Sequence, residues 1–293
     1  MDVTCLEEGL EKIRRIKNNI SNSKYLAARE EYLSLRCALD RLKDSKYREL
    51  YESLMFEFGK YDDEMQQMLV KCEDIDDALR STSEPVEGTK WIFGSVCDGI
   101  TTHYFLENDG TISLHVRGIL TDVPLFEQLC VIYEIGLYSK WVPFCSQSHM
   151  LSQIGTLALP ITFYLSNPPF SNIPISDIGY TEFLARVVMD TPFGISREVV
   201  VHAFGANCLN ELDAIVIVTK SVEEFDGVDV PPVSGGFFSG RCYVKSMHAV
   251  TYLHSPTCAE VSPPLPPTPP SPSPPIRCHY YEVDTVVTLV VVS

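Results

Sequence analysis

Thr111-Ile112-Ser113-Leu114-His115-Val116-Arg117-Gly118-Ile119-Leu120 puts Ile112, Leu114 and Val116 in strict alternation with Ser113, His115 and Arg117. A period of two aims successive side chains at opposite faces of a sheet, so the stretch predicts a strand with one dry face and one wetter one. Residues 89–96 and 101–107 precede it with the same character, and Asn108-Asp109-Gly110 supplies a hairpin signal between the last two of the three runs. Just after them the period changes. Pro124 is a suitable first helical residue, and Leu125, Leu129, Ile132 and Ile135 recur at helical spacing. Further strands are expected at 183–190, 196–204, 213–221, 241–253 and 279–293. The predicted class is α+β, an antiparallel sheet with helices on one side.

The N-terminal part has another period. Tyr25, Ala28, Tyr32, Leu35, Leu39 and Leu42 step three and four residues along one helical face, behind a shorter helix carrying Leu6, Leu10, Ile13, Ile16 and Ile20. Ser21-Asn22-Ser23 separates them, with Ser23 expected to cap the second helix. After a break at 43–45, Tyr47, Leu50, Leu54, Phe58, Tyr61, Met65 and Met68 continue the pattern as a third helix. The expected organisation is a helical or coiled-coil-like segment at 1–82, a linker at 83–88 and a second domain at 89–293. This second domain carries a proline-rich insertion at 262–276. The helices either pack on that domain or offer a seam for self-association or a protein partner. The proline-rich stretch reads as an extended spacer or as a PxxP ligand.

Composition narrows the function. A formal charge of -16, from 23 Lys+Arg against 39 Asp+Glu, argues against a nucleic-acid partner, whose affinity would come from clustered cations. The ten cysteines are scattered without a C-x-x-C pair, so buried, reduced thiols in a cytoplasmic protein are expected. The N-terminus carries neither a signal-like apolar run nor a myristoylation site. The final apolar run near 286–292 is too short to span a bilayer. Metal-ligand spacing, Walker-type loops and HExxH or GxSxG motifs are absent, so neither a cofactor nor an enzyme is expected. Cys145 and His149 stand four apart without an evident orienting group. His202 and His115 are the candidates for acid-base chemistry.

Two patches carry a resemblance. Leu114 to Gly118, Val123 to Phe126 and Leu137-Tyr138-Ser139-Lys140-Trp141-Val142-Pro143-Phe144 resemble the strand, helix-starting loop and tryptophan-proline helix end of the START (StAR-related lipid transfer) family. Met189-Asp190-Thr191-Pro192-Phe193-Gly194-Ile195-Ser196-Arg197-Glu198-Val199-Val200 resembles its proline-aromatic, serine and arginine-acid turn. Together the likeness covers 88–293. It implies a helix-grip fold, in which a curved sheet grips a C-terminal helix around one lipid or sterol. It further implies binding or transfer rather than turnover, with transient membrane contact. After 284–292, which resembles the final strand, no gripping helix follows before Ser293. The groove is therefore expected to need another cover, either the N-terminal helices or a second copy. Val200, Ile215, Ile217 and Val244 are candidate lining residues. Arg117 and Arg197 are expected to meet a headgroup or a structural carboxylate. Trp141, with Phe144 and Trp91, is expected either to pack the core or to touch ligand.

Overall fold

The computed structural model describes residues 5–43, 47–83, 91–106, 108, 111–121, 123, 125–154, 182–190, 196–223, 239–254 and 280–290. The expected linker beyond residue 83, the glycine of the 108–110 turn, Pro124, the turn at 191–195 and the proline-rich stretch lie outside the described residues.

The N-terminal segment forms four helices, α1 (Leu6–Ser21), α2 (Tyr25–Lys43), α3 (Arg48–Gly59) and α4 (Asp62–Ser83). The sequence period suggested three. The third run divides at Gly59-Lys60-Tyr61, where a weak helix former ends α3 and Asp62-Asp63-Glu64 place negative charge on the N-terminus of α4. Gly9 lets α1 and α3 approach closely, since a Cβ there would lie 2.4 Å from Leu54. Ser23 does not cap α2. It ends α1 in a Schellman arrangement at φ +56°, its N–H donating to Ile20 O at 2.9 Å and the Lys24 N–H to Asn19 O at 2.8 Å.

The remaining elements are β1 (Ile92–Cys97), β2 (Ile100–Leu106), β3 (Ile112–Thr121), α5 (Leu125–Tyr133), a 3-10 turn (Ile135–Leu137), α6 (Tyr138–Trp141), β4 (Cys145–Ile154), β5 (Glu182–Asp190), β6 (Ser196–Cys208), α7 (Leu209–Leu212), β7 (Ala214–Ser221), β8 (Ser239–Arg241), β9 (Tyr243–His254) and β10 (Tyr280–Val290). They build one sheet in the order β1-β2-β3-β10-β9-β7-β6-β5-β4, antiparallel along that path, with short β8 running parallel beside β6. The α+β class with an antiparallel sheet expected from the sequence is present, with two strands, β4 and short β8, that the sequence pattern had not disclosed. β1 and β2 turn through Asp98-Gly99, both at positive φ, as a tight hairpin requires.

Alternation assigns the two faces of the central strands. Phe204, Ala206, Val216, Val218 and Val250 join α1, α2, α3 and α4 in one continuous core. The neighbouring residues Ile215 and Ile217 instead meet Leu125 and Leu129 of α5. The helical segment thus packs on the sheet, on the face opposite α5, and leaves the α5 face uncovered. A Tyr25–Phe204 edge contact, with ring centroids 5.9 Å apart, anchors α2 to β6. Of the described cysteines, Cys72, Cys145 and Cys208 are buried, whereas Cys5, Cys37 and Cys97 are exposed, so burial is less general than composition suggested.

Paired charges stitch the bundle to the sheet. Lys71 on α4 donates to Glu182 Oε2 at 2.6 Å, and the other carboxylate oxygen meets His202 Nε2 at 2.8 Å. Burial pushes Glu182 upward, but the His202 hydrogen bond and the Lys71 charge outweigh it and leave the group below its ordinary range. Lys220 on β7 pairs with Asp74, and Ser81 Oγ meets His248 Nδ1 at 3.0 Å. Burial first, then the Lys220 charge, hold His248 below its usual value against the opposite pull of Asp74 and Asp77.

Two outcomes follow from this interface. A chain beginning at residue 84 uncovers Phe204, Val216, Val218 and Val250, so it should aggregate and bind more of an apolar dye than the whole chain. Light scattering and dye fluorescence equal to those of the whole chain would show that the bundle is not the cover. For pH, a base depressed in the fold contributes stability that is complete above its unfolded pKa, about 6.5, and is lost as pH falls below it. A depressed acid loses its contribution below about 4.3. The urea midpoint should therefore fall between pH 7.5 and 5.5, and His248→Asn should flatten that step. An unchanged slope in the variant would remove His248 from the account.

Candidate functional site

The α5 face begins at a cleft. α5 is amphipathic, and Leu125, Leu129, Ile132 and Tyr133 turn inward onto Ile215 and Ile217. Ile135 and Tyr138 extend the cover over Phe183, Ala203 and Val244. Leu129, Ile132, Tyr133, Phe183, Ile215 and Ile217 line a small cavity whose accessible volume is about 20 Å³, room for roughly one water. Tyr133 stacks edge-on against Phe183 at 5.6 Å, and burial drives its phenol far above the ordinary range, so the group stays neutral. Burial likewise pushes Tyr138 up to about 12, and its hydroxyl donates to Ile132 O at 2.6 Å, tying α6 to the end of α5.

Away from the cleft the same face runs out onto β1–β3 without a covering helix among the described residues. Register continues the row from Val244 through Leu289 and Ile112 to Leu106. Leu106 is 58% exposed, and Ile92, Ile100, Tyr104 and Ile112 are exposed beside it. Exposed apolar residues of this kind, on the same face as a buried apolar cleft, are disfavoured in water unless something covers them. The opposite face of the same wing is mixed. There Trp91 packs edge-on with Phe105 and lies near His115, while Phe93, against His103, and Val96 and Ile119 are exposed.

The candidate residues divide between these surroundings. Ile215 and Ile217 line the cavity, and Val244 lies on the same face. Val200 is buried opposite Arg186 on the bundle face, because the even residues of β6 point that way. Arg197 sits at the outer end of the α5 face and donates to the Ser196 carbonyl at 3.2 Å. Arg117 is exposed on the bundle face, opposite Asp284 in register. Trp141 is 53% exposed and stacks edge-on with Tyr138 at 5.0 Å, at the rim beside exposed Phe144. The buried arginine-acid pair of this region is Arg186–Glu198 at 2.6 Å, a partnership the sequence did not single out.

Acid-base candidates do not converge. Cys145 faces Met189 in register and His149 faces Arg186, which puts them on opposite faces of the sheet. His202 is committed to Glu182, and His115 is buried beside Trp91, both on the bundle face. Among the described residues no group of His, Cys, Asp and Glu is arranged to hold a metal ion. No described helix is long and apolar enough to cross a membrane. What this face can do chemically is bury hydrocarbon.

No family model matches the chain, and no curated protein matches it. Several solved structures are similar to it. Human STARD10 is 12% identical with a TM-score of 0.45, over 74% of this chain and 66% of its own. Human StAR-related lipid transfer protein 5 is 13% identical with a TM-score of 0.43, over 76% of this chain and 83% of its own. The human StarD13 lipid transfer and protein localization domain is 12% identical with a TM-score of 0.40, over 75% and 81%.

Proposed function

We propose that this chain binds a lipid or sterol on the α5 face and exchanges it with membranes without chemical turnover. The observation that supports the reading is apolar Val244 at the α5 cleft sharing one register row, on the same face, with Ile112 and exposed Leu106. Each methylene removed from water gains about 0.8 kcal/mol, so a ligand that lays about ten methylenes on this surface needs no charged contact to be held. The cleft encloses only about 20 Å³. A ligand of several hundred Å³ must therefore lie largely across the open wing or displace α5 outward. α5 spans nine residues and rests on the sheet through a single apolar stripe, which suits a mobile wall.

The test separates the two faces of the wing with substitutions at exposed positions that the fold tolerates. The whole chain is incubated with phosphatidylcholine vesicles carrying a fluorescent sterol or a fluorescent phospholipid, then separated and assayed for bound probe. Leu106→Glu and Ile112→Glu should lower retention at least fivefold. Phe93→Glu, on the opposite face, should retain the probe as the unaltered chain does. Equal loss in all three, or no retention by the unaltered chain, would end the proposal.

A further inference from the structure

One residue of the cleft comes from outside the sheet domain. Among the described residues β5 pairs with β6 as far as Glu182 opposite Phe204. Beyond Phe204 the α1–α2 turn meets β6. The Asn207 N–H donates to the Ser23 carbonyl at 2.8 Å, and Ser23 joins Gly205 and Asn207 in the lining of the cavity. Gly205 contributes no side chain at this point, so the turn can reach through to the α5 side.

Ser23 is 3% exposed; its Oγ lies beside the Tyr25 phenol, whose titration a hydrogen bond with Ser23 lowers, but the pair does not reach full hydrogen-bond geometry. A buried hydroxyl left in that state is destabilising. Its backbone adds to the cost. φ is +56° at the position after a helix where glycine is the default, so a serine there is strained. Neither cost is offset by a capping bond to α2, and both fall on a side chain that lines a mainly apolar cavity, shared with Tyr133 and Asn207 and with room for about one oxygen. Tyr133 lines the same cavity with its phenol held neutral. No Lys, Arg, Asp or Glu lines it, and the nearby Glu182 is engaged by Lys71 and His202. The site therefore suits a small neutral hydrogen-bonding group and disfavours a carboxylate or phosphate.

We infer that Ser23, delivered by the α1–α2 turn, together with Tyr133, receives the single hydroxyl of a neutral lipid, with the hydrocarbon lying against Leu129, Ile132, Ile215 and Ile217. The inference rests on the lipid-binding reading above and narrows it to the alcohol class, a sterol or a long-chain alcohol. It also makes the N-terminal helices part of the ligand site.

The experiment uses the whole chain and two matched pairs of probes offered from vesicles at equal concentration: cholesterol with its 3-methyl ether, and 1-octadecanol with its methyl ether. Bound probe is read by native mass spectrometry. In at least one pair the free alcohol should be preferred about tenfold, the equivalent of one hydrogen bond of about 1.4 kcal/mol. Ser23→Gly removes the hydroxyl and relieves the positive φ, so it should keep or raise the melting temperature while reducing the preference below threefold. Tyr133→Phe should reduce it independently. Equal binding of alcohol and ether by the unaltered chain, or a preference that survives Ser23→Gly, would overturn the subsite and leave lipid binding standing. The same Ser23→Gly rise in melting temperature with no alcohol preference would assign the position to an ordered water alone and overturn it too. Binding of neither member of either pair, together with no effect of Leu106→Glu on probe retention, would overturn the lipid reading with it.

Discussion

The structure depends on β6, β7 and β9 being apolar on both faces. Ala214-Ile215-Val216-Ile217-Val218 is an unbroken apolar run, and each of its residues is buried. Such a strand cannot leave either side to water, so the sheet needs a layer above and a layer below. α2 and α4 supply one, over Phe204, Val216 and Val250, and α5 with the 3-10 turn supplies the other, over Ile215 and Ile217. At β1–β3 the demand lapses on the α5 side, and apolar side chains there stand exposed among the described residues. The helical segment is consequently part of the core, whatever else it does.

Orientation of the two layers is set by polar pairs as much as by apolar area. Hydrophobic contact between a helix and a sheet tolerates sliding, whereas a carboxylate bonded at one oxygen to Lys71 and at the other to His202 tolerates little. Breaking such a buried pair by removing one partner typically costs about 3–5 kcal/mol, although the pair itself adds little net stability over an apolar substitute. Lys220–Asp74 and Ser81–His248 fix the same helix further along, so α4 is registered at three points. This is the condition under which the turn before α2 can be held against β6.

Period and turn chemistry made most of the elements legible. The alternation of Ile112, Leu114 and Val116 placed β3, and the stripe Leu125, Leu129, Ile132 placed α5 and the face it buries. Ile215 and Ile217 could be nominated for the cavity because they lie in an apolar strand. Val200 shows the limit of that argument, since a two-residue period names two sets of side chains but not which set faces which layer. β4 escaped notice because Cys145-Ser146-Gln147-Ser148-His149 alternates weakly and the strand contains two register shifts, at Cys145/Gln147 and Met150/Ser152. Ser23 was legible as a helix boundary and illegible as a pocket residue. Its part in the cavity arises from its contact with β6, a strand far along the chain, and no local pattern records that.

The strand order has a further consequence for how the chain reaches this structure. β3 is joined to the rest of the sheet by β10, the last strand described, and β10 bridges β3 to β9 along nearly its whole length. During synthesis the β1–β3 meander emerges well before β10, its neighbour on the inner side, at residues 280–290. Closing a loop of that length is slow relative to local hairpin formation, and an apolar meander waiting for it is exposed to wrong partners. The late arrival of β10 therefore delays closure of the sheet around β1–β3, and that wing stays open to wrong partners for longer than the strands whose neighbours lie close in sequence.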